Sequence, residues 1–171
     1  MGFLIREATE ADVPKIMVLM EEARSDTEHP EWFVASDESY IWEHLEKDGF
    51  VLVAQTMEGE IAGFFVVIYP EDKENLGHYL DFDTDQLAQV AMMDTAVVGK
   101  IYRGNGLQAK MLEAAEARID KERYPYLMCT IHPDNRFSRH NMESHGYEAK
   151  MTAYCYGGFL RYVLLKNFKN L

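Results

Sequence analysis

The stretch Tyr102-Arg103-Gly104-Asn105-Gly106-Leu107-Gln108-Ala109 carries a distinct chemical signature. Its two glycines lack Cβ atoms, so the backbone there can curl and come close to a ligand, and the run lies between a strand-like apolar pattern and a helical one. The first amides of a helix, with the helix dipole, favour an anion, which makes the turn a candidate phosphate cradle. A tight strand-to-helix turn with no ligand explains a lone Gly-x-Gly equally well. Gly104-x-Gly106-x-x-Ala109 meets the dinucleotide fingerprint in form only. That scheme places its first glycine directly after the strand and an acid ~20 residues on, at the end of the next strand. Here Gly99 to Arg103 intervene, and the next strand ends Cys129-Thr130-Ile131-His132. A Walker loop is excluded as well, because no Gly-Lys-Ser/Thr follows at the required spacing.

Other residues with chemical capacity are more scattered. Asp94 lies on the strand that leads into the glycine turn and is a candidate proton acceptor or a hydrogen-bonded structural aspartate. His132, after the next strand, is an alternative base or a turn histidine before Pro133. His140 and His145 are five apart, which misses the i, i+4 spacing of two imidazoles on one helical face, and no metal is expected. Asp81-Phe82-Asp83-Thr84-Asp85 looks like the start of a calcium loop, but Gln86 stands where glycine is needed and Met92 where a bidentate Glu is needed. An acidic loop or short helix is the expectation there.

Arg103-x-x-Gly106 entering a helix after Ala96-Val97-Val98 resembles the acyl-CoA loop of the GNAT N-acetyltransferase family. In that family a first strand and two helices precede a β-hairpin. After the pyrophosphate helix come a strand and a helix that opens with Asn and ends in Gly-Tyr or Gly-Phe, as Asn135 through Gly146-Tyr147 does here. The resemblance covers nearly the whole chain in element order and is most specific over residues 96–147. It implies an acetyl-CoA-dependent transfer of an acetyl group to a primary amine of a small molecule or peptide, made directly in a ternary complex. It also implies roles. The backbone of Val97 and Val98 pairs with the pantetheine arm, and one of their amides polarises the thioester carbonyl. The amides of Arg103, Gly104, Asn105, Gly106, Leu107 and Gln108 cradle the pyrophosphate, helped by the charges of Arg103, Lys100 and Lys110. Asn135 bonds the pantetheine, and the Ser138 region lines the cofactor's tail. Met92 occupies a spot where some relatives place Glu, and Asp94, on the strand that leads into the cofactor site, is the candidate base. Trp32, Tyr40, Trp42 and Tyr79 fall in segments that cover the acceptor side in this family, as core packing or as a surface for an acceptor.

Two positions depart from the family pattern. Gln108 stands where Gly or Ala is usual, so its side chain must point away from phosphate or bond it. Met142 stands where a Tyr is often credited with protonating the departing thiolate. Tyr154 is the nominated substitute, with Tyr156, Tyr147, Cys155 or water as alternatives. These departures motivate a second reading, a non-catalytic acyl-CoA-binding or regulatory domain of the same fold.

The elements that must hold these residues alternate along the chain. Phe3 to Arg6 reads as a strand, followed by a capping box at Thr9-Glu10-Ala11-Asp12 and a helix carrying Val13, Ile16, Met17, Leu19 and Met20. Asp37 to Lys47 reads as a second helix, stopped by Gly49. Phe50–Thr56 and Ile61–Tyr69 read as a hairpin, and Val90–Val98 as a strand, Asn105–Asp120 as a helix and Tyr126–Ile131 as another strand make a β-α-β unit. A helix over 135–145 and a hairpin over 147–166, turned by Gly157-Gly158, complete the order β-α-α-β-β-β-α-β-α-β-β. This is an α/β, mixed-sheet fold of the GNAT acyl-CoA N-acyltransferase type, expected as a single domain over residues 1–171.

Length and composition agree. The 171 residues are 47% hydrophobic and 27% charged, with no apolar run long enough to span a membrane. Met1-Gly2-Phe3-Leu4-Ile5-Arg6 has none of the marks of an export leader, and a cytoplasmic location is expected. Cys129 and Cys155 are too few for a disulfide scaffold and are expected to be buried thiols. The net charge of −12 argues against nucleic acid or anionic membrane as partner. Residues 1–94 hold 22 acids and 5 bases, residues 95–171 hold 7 acids and 12 bases. That asymmetry suits an anionic cofactor beside the glycine turn and a cationic amine near the acidic half, or simply solvated faces. A second copy of the chain is an allowed partner.

Overall fold

The computed structural model describes residues 2–26 and 28–170. In chain order its elements are β1 (Phe3–Glu7), α1 (Val13–Arg24), α2 (Glu38–Glu46), β2 (Gly49–Thr56), β3 (Ile61–Ile68), α3 (Thr84–Leu87), β4 (Val90–Val98), α4 (Leu107–Arg118), β5 (Tyr126–Ile131), α5 (Arg136–Ser144), β6 (Glu148–Cys155) and β7 (Phe159–Asn167). The architecture is mixed α/β, with seven strands paired mostly antiparallel, and it reproduces the expected order with the four-residue α3 added. Two compact units divide the chain: Met1–Ile68 with Asp94–Arg118, and Tyr69–Met93 with Ile119–Leu171. β4 runs through both.

In the first unit, β1, β2 and β3 form an antiparallel meander, and the second half of β4 follows β3. All eight residues of β3, Ile-Ala-Gly-Phe-Phe-Val-Val-Ile, are buried. A continuous apolar run is what a strand covered on both faces requires, and α1, α2 and α4 all pack on it. The second helix does not reach Gly49. It ends at Glu46 because Lys47 turns extended, and Asp48 takes a left-handed φ of 53°. Gly49 instead opens β2 opposite Ile68.

Entry into α1 is fixed by one buried carboxylate. Asp12 accepts the Thr9 N–H at 2.8 Å, and the Arg6 guanidinium grips both its oxygens at 2.7 and 2.9 Å. This bidentate contact, aided by the Thr9 amide, outweighs burial and lowers the Asp12 pKa to about 2. A carboxylate with a folded pKa below its unfolded one adds stability at neutral pH, fully present above about pH 4 and lost as pH falls toward 2. The expected contribution is about 2 kcal/mol, from ~1.4 kcal/mol per pH unit. Urea unfolding of Asp12→Asn should therefore show a loss of that order at pH 7 and a flatter acid limb than wild type; parallel acid limbs would show that Asp12 is not the titrating group.

In the second unit, Val90–Met92 pairs in parallel with Tyr126–Met128, and β5 continues into an antiparallel ladder with β7 and then β6. The polar segment 70–89 is tied down by Asn75, 3% exposed, whose Nδ2 donates to the Leu87 carbonyl at 2.8 Å while its Oδ1 accepts the Gly77 N–H at 2.9 Å. Asp83, one of the alternating acids, caps α3 by accepting the Gln86 N–H at 2.9 Å. Tyr69 stacks on Tyr124 with centroids 4.1 Å apart. Cys129 and Cys155 are free, buried thiols. Among the described residues no helix is long and apolar enough to cross a membrane.

Candidate active site

The glycine turn hangs from the end of β4. The Gly99 N–H bonds the Ala62 carbonyl of β3 at 2.9 Å. A Cβ on Gly63 would stand 2.7 Å from the Val97 carbonyl oxygen, so β3 and β4 approach too closely there for any other residue. Backbone groups of alternate residues point to the same side of a strand. Val97 and Gly99 therefore address β3, and the Val98 N–H points the other way. Of the two valines nominated from sequence, Val98 is the one whose amide is directed away from the β3 ladder.

Lys100–Tyr102 then make one 3-10 turn, and Gly104 and Gly106 take φ of +82° and +69°. Positive φ explains a glycine at each position. A Cβ on either would also meet no atom within 4 Å, so the backbone of the turn lies open on that side. The Asn105 Nδ2 donates back to the Tyr102 carbonyl at 2.9 Å, closing the loop. Helical bonding in α4 starts with the Lys110 N–H on the Gly106 carbonyl at 3.1 Å, so the amides of the first turn precede it. Buried Leu107, Met111, Leu112 and Ala115 anchor α4 beneath. Gln108 is half-buried and Lys110 exposed.

The turn also borders a polar cleft of about 300 Å³ lined by Ser25, Asp26, Glu28, Lys100 and Arg103. Arg103 forms an ion pair with Asp26 at 3.7 Å, and the Lys100 N–H donates to Glu22 at 3.1 Å. The sequence carried no sign of these two acids, because each meets its partner across a long stretch of chain.

Asp94, at the junction of the two halves of β4, is half-buried. Its Oδ2 accepts the Tyr40 hydroxyl of α2 and, at 3.2 Å, the Thr95 hydroxyl, and the two hydroxyl oxygens are 3.0 Å apart. Its partner across the fold is thus a residue of the helix α2. Tyr40 had been read, with Trp32, Trp42 and Tyr79, as core packing or as a surface for an acceptor. Of the other aromatics, Trp42 donates to Glu38 at 2.9 Å and Trp32 stacks on His29 at 3.7 Å.

The remaining nominated residues belong to the second unit. Asn135 caps α5, its Oδ1 accepting the Ser138 N–H at 3.2 Å, so these two are brought together. His132 Nδ1 accepts the Asp134 N–H at 3.2 Å, the role of a turn histidine. Met142 is buried. Tyr154 is 72% exposed on β6. Tyr156 holds a left-handed φ of 54°, and its hydroxyl lies 2.7 Å from that of Thr130. Cys155 is buried, and its thiol beside the Tyr79 hydroxyl, with burial, raises the Tyr79 phenol above its ordinary pKa. Among the described residues no three His, Cys, Asp or Glu side chains gather to hold a metal.

A family model described as the acetyltransferase (GNAT) family matches residues 16–147. No curated protein sequence matches the chain. Solved structures do. An N-acetyltransferase from Staphylococcus aureus Mu50 is 14% identical, with a TM-score of 0.75 over 98% of this chain and 99% of its own. A ribosomal-protein-alanine N-acetyltransferase from Brucella melitensis is 22% identical, with a TM-score of 0.74 over 96% and 99%. A Salmonella typhimurium acetyltransferase structure with its cofactor acetyl-CoA is 13% identical, with a TM-score of 0.73 over 98% and 95%. At these identities the likeness establishes the fold.

Proposed function

Because the chain belongs to the GNAT acetyltransferase family, we propose that it is an acetyl-CoA-dependent N-acetyltransferase that acylates a primary amine of a small molecule or peptide by direct transfer. The observation that carries this reading is the open glycine turn: two positive-φ glycines with free space on their Cβ side, leading into α4 one 3-10 turn after the strand that bears Asp94. The family uses acetyl-CoA, which supplies an acetyl group activated as a thioester.

The residues fit that donor. The amides from Gly104 to Gln108 offer a cradle for a pyrophosphate at the start of a helix, and Arg103 adds a guanidinium suited to phosphate. The Val98 N–H, turned from β3, is the candidate donor to the thioester carbonyl. Asp94, four residues upstream on the same strand, is the candidate acceptor of the proton that the amine nitrogen sheds. In the second unit Asn135 and Ser138 are assigned to the pantetheine arm and tail, and Tyr154 to protonation of the departing thiolate. Holding amine and thioester together supplies much of the rate, since effective molarities of well-oriented pairs are large.

A thiol-release assay tests the reading. Acetyl-CoA would be offered with spermidine, with a peptide bearing a free N-terminal alanine, and with benzylamine. Amine-dependent release of CoA with at least one of them is the expected result. Tight acetyl-CoA binding without release on any amine would favour the non-catalytic acyl-CoA-binding domain instead.

A further inference from the structure

Three oxygens from two elements close a triangle at β4: the Tyr40 hydroxyl, the Thr95 hydroxyl and Asp94 Oδ2. Tyr40 comes from α2 and is held there from two sides. Its own N–H is bound by the capping carboxylate of Asp37 at 3.3 Å, which fixes the first turn of the helix at the residue carrying the phenol. Its ring meets that of His44 edge to face, with centroids 4.8 Å apart, and His44 is 7% exposed. The phenol therefore has little freedom to swing away from Asp94.

We propose that Tyr40 is a positioning residue for Asp94: its hydroxyl, with that of Thr95 beside it, fixes the orientation of the carboxylate and holds it as an anion ready to take a proton. The inference rests on the reading of Asp94 as the proton acceptor. A carboxylate oxygen that accepts two hydroxyls has its charged form favoured. Tyr40 of α2 is a titratable partner of Asp94, and His44 stands behind its ring. β3, which flanks this half of β4, has no ionisable side chain from Ile61 to Ile68. The Tyr40 and Thr95 hydroxyls bear directly on the Asp94 carboxylate.

Tyr40→Phe keeps the ring against His44 and removes only the hydroxyl. Two readouts apply. In free protein labelled with ¹³C at aspartate Cγ, with Asp94→Asn used to assign the resonance, the Asp94 midpoint should move up in pH in Tyr40→Phe. With whichever of spermidine, the alanine peptide and benzylamine turns over fastest, the acid limb of kcat/KM should move up in parallel, while the acetyl-CoA Kd stays within twofold. Thr95→Val should shift both in the same direction by less, and it carries the same readouts should Tyr40→Phe fail to fold. A loss of rate or melting temperature with an unmoved acid limb would make Tyr40 merely structural and overturn the inference. Asp94→Asn separates the two levels. If it retains full turnover, the assignment of the proton acceptor falls and this inference with it. If it loses turnover while Tyr40→Phe leaves the acid limb in place, only the inference fails.

Discussion

Replacing Gly106 with tryptophan should weaken acetyl-CoA binding at least about a hundredfold, a loss of ~2.7 kcal/mol, in a protein that still folds. Gly106 sits at φ +69°, so any L-residue there carries a conformational cost of about 1–3 kcal/mol. A domain of this size tolerates such a cost when nothing else is disturbed, and a Cβ at this site meets no protein atom within 4 Å. The indole would fill the open side of the turn, where the proposed cradle needs its amides bare. Calorimetric titration with acetyl-CoA gives the Kd, and a melting curve shows whether the fold persists. An unchanged Kd in a folded variant would remove the glycine turn from the donor site.

Asp94→Asn should lower kcat by about 100-fold or more, the range typical of losing a positioned proton acceptor, with acetyl-CoA affinity unchanged. Asparagine has the shape of aspartate and can still accept the Tyr40 hydroxyl through its amide oxygen, so that contact between α2 and β4 survives the change. What it lacks is the capacity to take a proton near neutral pH. Thiol release measured at saturating acetyl-CoA isolates this effect from binding. Turnover within twofold of wild type would place the proton elsewhere, with His132 the next residue to replace.

The parts of the molecule that were legible beforehand are those written in short windows of sequence. Hydrophobic period gave the order of strands and helices. The glycine turn announced itself because backbone curl requires Gly104 and Gly106 side by side with a helix start. Asn135 was readable as the opening of α5, since Asn is a favoured cap and Ser138 lies within reach. The error at Gly49 has the same local origin: a glycine after a helical pattern reads as a stop, but the extended Lys47 had already ended the helix and Gly49 was needed in β2. What stayed hidden depends on tertiary pairing. Tyr40 meets Asp94 across 54 residues, and Tyr156 meets Thr130 across 26. Asp26 likewise meets Arg103 only through the fold. No periodicity or spacing rule encodes such encounters, because each depends on which strand edge a helix or turn is laid against.

The way β4 is shared has a practical consequence for anyone dissecting the protein by fragments. The first unit is made of 1–68 and 94–118, the second of 69–93 and 119–171, so the chain passes from one to the other three times. No single cut releases either unit as one continuous polypeptide. A nick after Met93, between the last residue of one unit and Asp94, would sever a continuous strand and split both units at once. The two resulting peptides would each hold halves of both cores, and activity should return only on mixing them, as complementation between partners that are separately incomplete.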